Sequence, residues 1–135
     1  MALSEHQQAD LKAHHDHRIE SYKSMILIST EFFKYMALLN GGAAAGMVAT
    51  MDKLQPIIGA GSMRLAIGAF VFGLIFNGCA MFCSYLTQNM VFGDAIGREN
   101  NGDHANYLVA GGAFCVLSLL AFCVGAIGAV FGIKY

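Results

Sequence analysis

Between Leu65 and Gly93 the chain carries no Asp, Glu, Lys or Arg, and from Ala105 onward the only one is Lys134. A helix of that length on a water-soluble protein needs a polar face. These segments are apolar all round, and a bilayer is the solvent that tolerates such a surface. Composition points the same way. Charged residues make up 13% of the 135 and the AVILMFWYC set 56%, against roughly 25% charged in a typical soluble protein. A chain this apolar is not disordered. Its formal net charge of −1 supplies no basic field for phosphates, so a nucleic-acid partner is excluded.

Three segments are long enough to span: Phe32–Met51, with Asn40 as its strongly polar interior residue, Leu65–Thr87, and Leu108–Ile133. At 1.5 Å per residue the second is roughly 35 Å long, enough for a hydrocarbon core of about 30 Å with some tilt. The sequence thus predicts an all-α membrane protein, a bundle of three transmembrane helices with a long cytoplasmic N-terminal helix. Residues 1–31 form that helix, running into the membrane, and residues 32–135 form the three-helix domain.

Seven of the seventeen charged residues and four of the five histidines lie within the first 24 positions. Residues 4–30 read as helix. Ser4-Glu5-His6-Gln7 fits a capping box, and no Gly or Pro follows until Gly41. Leu11, His15, Arg18, Tyr22, Met25 and Ser29 share a stripe at spacings of three and four. Glu31 and Lys34 can pair across one turn at the entry to the first span. Residues 52–64 and 88–104 read as loops: Asp52, Lys53 and Pro56 open the first, Ser62 is placed to cap the second span, and Gly97–Asp103 holds turn formers. Lys12, Arg18, Lys23, Lys34 and Arg98 fall on one side, and Lys53, Arg64 and Lys134 on the other. Five against three places the N-terminus inside. No apolar run precedes residue 25, so no signal peptide is expected.

Small residues recur at helical spacing in every span. Gly42 and Gly46 form a GxxxG, as do Gly128 and Gly132. Ala69 and Gly73 are four apart, and Ala121, Gly125 and Ala129 form a stripe. Helices in lipid attract one another chiefly by close packing, which small residues permit. These positions therefore point to tight packing, within the chain or between copies. Asn40 and Asn77 lie inside the first and second spans, where a buried amide seeks a partner. They are read either as helix-to-helix hydrogen bonds or as a polar ring lining an oligomeric pore.

Cys79, Cys83, Cys115 and Cys123 all fall in apolar segments and read as small hydrophobes. His14, His15 and His17 point in different directions on a helix. They read as a solvated face, with a pH-sensitive or partner surface as the functional alternative and a single-chain metal site as the weaker one. No histidine lies in a span, so intramembrane bis-His haem is excluded. No mid-span carboxylate argues for a proton relay, and no phosphate-cradling loop or catalytic motif is present. The expectation is a non-enzymatic protein without cofactor or metal.

Leu38-Leu39-Asn40-Gly41-Gly42-Ala43-Ala44, after a His-rich helix and before two further spans, resembles a loose group of small, mostly uncharacterised bacterial inner-membrane proteins. The resemblance implies a three-pass α-helical protein of the bacterial cytoplasmic membrane and carries over no activity. The functional expectation is an assembly protein, either a homo-oligomer or a subunit of a larger membrane complex. The bilayer surrounds it, and residues 4–30 are available to a cytoplasmic protein partner. The alternatives are a pore-forming or membrane-perturbing effector and an accessory subunit of a respiratory or transport enzyme.

Overall fold

The computed structural model describes residues 5–95 and 104–133, and every one of these except Thr50, Gly59, Gly132 and Ile133 is helical. The helices are α1 (Glu5–Ala49), α2 (Met51–Ile58), α3 (Ala60–Ala95) and α4 (His104–Phe131). The chain divides into two compact units, Met1–Phe32 and Phe33–Tyr135. The first holds the charged part of α1. From Gln8 to Met25 all its residues are exposed, including Leu11, Tyr22 and Met25, so it builds no core of its own. The predicted Ser4–Gln7 capping box lies outside the residues whose side chains are described.

In the second unit the rest of α1, together with α3 and α4, forms an up-down-up bundle. Asn77 donates to the Phe33 carbonyl at 3.0 Å, and Gly41 lies beside Leu74. These pairings set α1 antiparallel to α3. Gly111 lies beside Cys83, Gly125 beside Phe70 and Gly128 beside Leu65, so α3 and α4 are antiparallel too. The core gathers at one end, where Ala44, Met47, Ile58, Met63, Ala66 and Phe70 meet. Phe70 and Phe122 stack at a tilt, 5.7 Å between ring centroids.

The region 52–64, expected as a loop, is helical instead. α1 ends where Thr50 donates its amide (3.1 Å) and its hydroxyl (2.7 Å) back to the Gly46 carbonyl. α2 starts one residue later and keeps Pro56 inside it. Three residues further on, Gly59 ends the helix at φ 83°, the only positive φ among the described residues. Its amide donates to Gln55 at 2.9 Å, and its own carbonyl accepts from Met63 at 3.1 Å. Backbone hydrogen bonds thus carry across both joints of the connection. Ser62 is not a cap but the third residue of α3. With ψ at 145° as well, this is backbone open essentially to glycine alone, and it costs an L-residue about 1–3 kcal/mol. Gly59→Ala is expected to lower stability by that amount, seen as a fall in the thermal midpoint of the purified protein.

The second expected loop is also shortened. α3 runs through Gln88 and Asn89 to Ala95, because nothing before Gly93 breaks it. The turn-forming stretch Gly97–Asp103 lies outside the described residues. Helices over Ala60–Gly93 and His104–Phe131 are long and apolar enough to cross a membrane. Their most apolar windows are only 28% and 11% buried, whereas a core helix of a soluble protein is mostly buried. The C-terminal part of α1 falls short of the same measure. Lys34 and Asn40 interrupt it, and its Gly/Ala run adds little hydropathy. It also stops at Ala49, before the expected Met51.

Candidate functional site

The bundle buries three polar side chains among its apolar core residues, and its outside is apolar as well. Asn40 and Ser118 are fully buried and Asn77 nearly so, while Leu38, Phe72, Phe82, Val109, Leu120 and Ile127 are exposed. Heptad spacing builds this arrangement. On α3, Met63, Phe70 and Asn77 alternate with Ala66, Gly73 and Ala80 as buried positions three and four apart. On α4 the buried positions are Gly111, Ser118 and Gly125, seven apart. This is the seam of a left-handed antiparallel pair, closed by residues small enough for backbones to approach.

One cluster ties the three long helices together. The Asn40 amide nitrogen donates within α1 to the Met36 carbonyl (3.2 Å), and across to the Ser118 hydroxyl (3.3 Å) and the Ser118 carbonyl (3.5 Å). The Ser118 hydroxyl in turn donates to the Gly73 carbonyl at 2.8 Å. A side chain from α1 therefore grips α4, and α4 grips the backbone of α3. Asn40 Oδ1 has no conventional donor. A Cβ at Gly73 would fall on the Asn40 carboxamide, so the glycine hydrogen in that position faces Oδ1 in a Cα–H···O contact. One turn along α3, Asn77 forms the second clasp, to Phe33.

The small residues singled out from the sequence divide into two sets. Gly73, Gly125, Gly128 and Gly132 meet neighbours: Asn40 for the first, the Phe70 ring 2.7 Å from the second's Cβ position, Leu65 at 2.8 Å for the third, and Ser62 with Ile58 for the last. Ala129 packs against the core cluster, and Ala69 and Ala121 are half-buried. By contrast Gly42 and Gly46 are exposed, with nothing within 4 Å of their Cβ positions. Among the described residues, no side chain faces either position of that GxxxG. The four-residue spacing alone does not decide contact, since Gly128 and Gly132 share it and are packed. The packing stripe of α4 repeats every seven residues, and its Gly111 and Ser118 are readable in the sequence only at that period.

Glu31 and Lys34 are both exposed, one turn apart on α1, and His14, His15 and His17 are exposed in the first unit. Among the described residues no three His, Cys, Asp or Glu side chains are placed to hold a metal ion. The cysteines carry free thiols, with Cys83 buried and Cys123 exposed. At the end of the bundle where the core gathers, a cavity of ≈ 80 Å³ opens between α2 and α3, lined by Met51, Gln55, Ala60, Met63, Arg64 and Ile67. No protein-family model, curated protein or solved structure matches the chain.

Proposed function

We propose that this chain is a non-enzymatic integral membrane protein that crosses the bilayer three times and assembles with further copies of itself. The observation that carries the reading is the apolar exterior: large apolar side chains face outward along the long helices while the polar Asn40, Asn77 and Ser118 are turned inside. Water would favour the reverse, whereas hydrocarbon favours it as it stands. The weak hydropathy of α1 is compatible with a third span because Asn40 places its amide inside the bundle, away from lipid, and because Lys34 lies near the segment's end, where a long side chain can reach the interface. The count of five Lys and Arg against three supports a cytoplasmic N-terminus, and the resemblance noted above supports a bacterial inner membrane. The solitary helix of the first unit would then be the surface offered to a soluble partner.

Assembly is supported by the outer face of α1, where Leu38, Gly42, Ala45, Gly46 and Ala49 are exposed at spacings that share a side. The pore reading is disfavoured, because the two amides needed to line a conducting path are engaged in the protomer's own bundle. The test is alkaline carbonate extraction, followed by mass measurement after mild detergent solubilisation. The chain is expected to stay in the membrane pellet and to purify as a multiple of its 14.4 kDa. Joint substitution of Gly42→Leu and Gly46→Leu leaves the bundle intact, since a Cβ at either position meets open space among the described residues, and is expected to yield monomers. Release by carbonate refutes the membrane reading. A wild-type monomer refutes self-assembly, and stoichiometric larger subunits make the chain part of a mixed complex.

A further inference from the structure

We propose that the α2–α3 corner is a binding site for the phosphate of an anionic phospholipid, with Arg64 as its cation. The proposal rests on the membrane reading above. The cavity has two kinds of wall. Arg64 and Gln55 supply hydrogen-bond donors, and Met51, Met63 and Ile67 supply an apolar side. At ≈ 80 Å³ it has space on the scale of a phosphate group rather than of an acyl chain. Val71, exposed one turn beyond Ile67 on the same side of α3, extends the apolar wall for the chain beyond the phosphate.

Charge selects the occupant. Arg64 makes no ion pair or hydrogen bond among the described residues, so its five donors are available in the planar fork that matches phosphate oxygens. The described charges at this corner are Asp52, Lys53 and Arg64. They sum to one net positive charge, and the acidic member is not among the lining residues. A guanidinium beside an apolar wall fits a ligand that is anionic at one end and apolar at the other. A zwitterionic lipid brings its own cation and gains less from the site, and free phosphate leaves the apolar wall bare.

The experiment uses the purified full chain, delipidated in mild detergent. Native mass spectrometry would follow binding of added phosphatidylglycerol, phosphatidylcholine or inorganic phosphate. Phosphatidylglycerol adducts are expected to outlast phosphatidylcholine adducts. Arg64→Gln should weaken phosphatidylglycerol binding roughly fivefold, the worth of one cation near an anionic lipid surface, and Lys12→Gln, in the first unit, should leave it unchanged. Arg64 is exposed, so its replacement leaves the fold in place, and an unchanged thermal midpoint checks this. Equal retention of the two lipids, an Arg64→Gln variant that binds like wild type, or displacement of the lipid by equimolar inorganic phosphate overturns the proposal. Each of these results leaves the membrane reading intact, because that reading is tested by carbonate extraction and not by lipid selectivity.

Discussion

Gly73→Ala is expected to destabilise the bundle by about 1–3 kcal/mol, and most of that loss is expected to disappear when Asn40 is also alanine. In an ordinary helix the same change is worth roughly 0.5–1 kcal/mol in the opposite direction, because alanine loses less backbone entropy than glycine. The sign reverses here because the new methyl falls on the Asn40 carboxamide, and Asn40 is fully buried with Met36 and Ser118 holding its amide nitrogen. The carboxamide cannot swing away without breaking those bonds. Asn40→Ala alone forfeits the bridge to α4, a loss of about 0.6–2 kcal/mol, but it also vacates the space that the Gly73 methyl needs. The two substitutions should therefore be strongly non-additive, as expected for groups in contact. Unfolding free energies of the four proteins in one detergent would measure the coupling. Additive losses would mean that Asn40 and Gly73 do not touch.

Asn40→Asp is expected to cost more, about 2.5–3.5 kcal/mol, the scale for a carboxylate at the centre of a membrane helix. The reason is local. Every partner of the Asn40 nitrogen is an oxygen: the Met36 carbonyl, the Ser118 carbonyl and the Ser118 hydroxyl. That hydroxyl already donates its hydrogen to the Gly73 carbonyl. An ionised aspartate offers no donor to any of them and places its charge among acceptors. Near-isosteric replacement thus separates chemistry from shape: the aspartate variant should be clearly less stable than Asn40→Ala, which leaves a gap but no charge. Equal stability of the two in the same unfolding assay would contradict the hydrogen-bond assignment.

The helical, apolar character of α3 and α4 was legible because their long uncharged stretches leave no polar face. Their ends were not. The sequence places the second span at residues 65–87, but α3 continues from Ala60 to Ala95. Polar residues such as Arg64, Gln88 and Asn89 end an apolar window without ending a helix. Pro56 and Gly59 read together as a loop, yet only Gly59 departs from helical backbone, because a proline late in a short helix loses one hydrogen bond before the helix stops anyway. Asn40 and Asn77 were identifiable as buried amides from the apolar residues around them. Ser118 was not, because a single serine in an apolar run has no local signal. Its importance comes from facing Asn40 and Gly73, residues distant in sequence, and the seven-residue spacing of Gly111, Ser118 and Gly125 is the one trace of that placement. Gly42 and Gly46 show the converse. A familiar motif on α1 sits on the side turned away from the other helices, so motif and spacing alone did not tell which face is inside.

The central claim is that the three long helices present their apolar faces to lipid, α1 included. Spin labels attached singly at Leu38, Phe72 and Leu120, in a variant whose four cysteines are replaced by alanine and which is reconstituted in phospholipid vesicles, test it most directly. These side chains are 69%, 59% and 53% exposed, on α1, α3 and α4. Collision with oxygen, which concentrates in hydrocarbon, should be frequent at all three positions, and collision with a water-soluble nickel chelate should be rare. Ready access of the chelate to Phe72 and Leu120 would contradict the membrane reading as a whole, and ready access to Leu38 alone would contradict the third span.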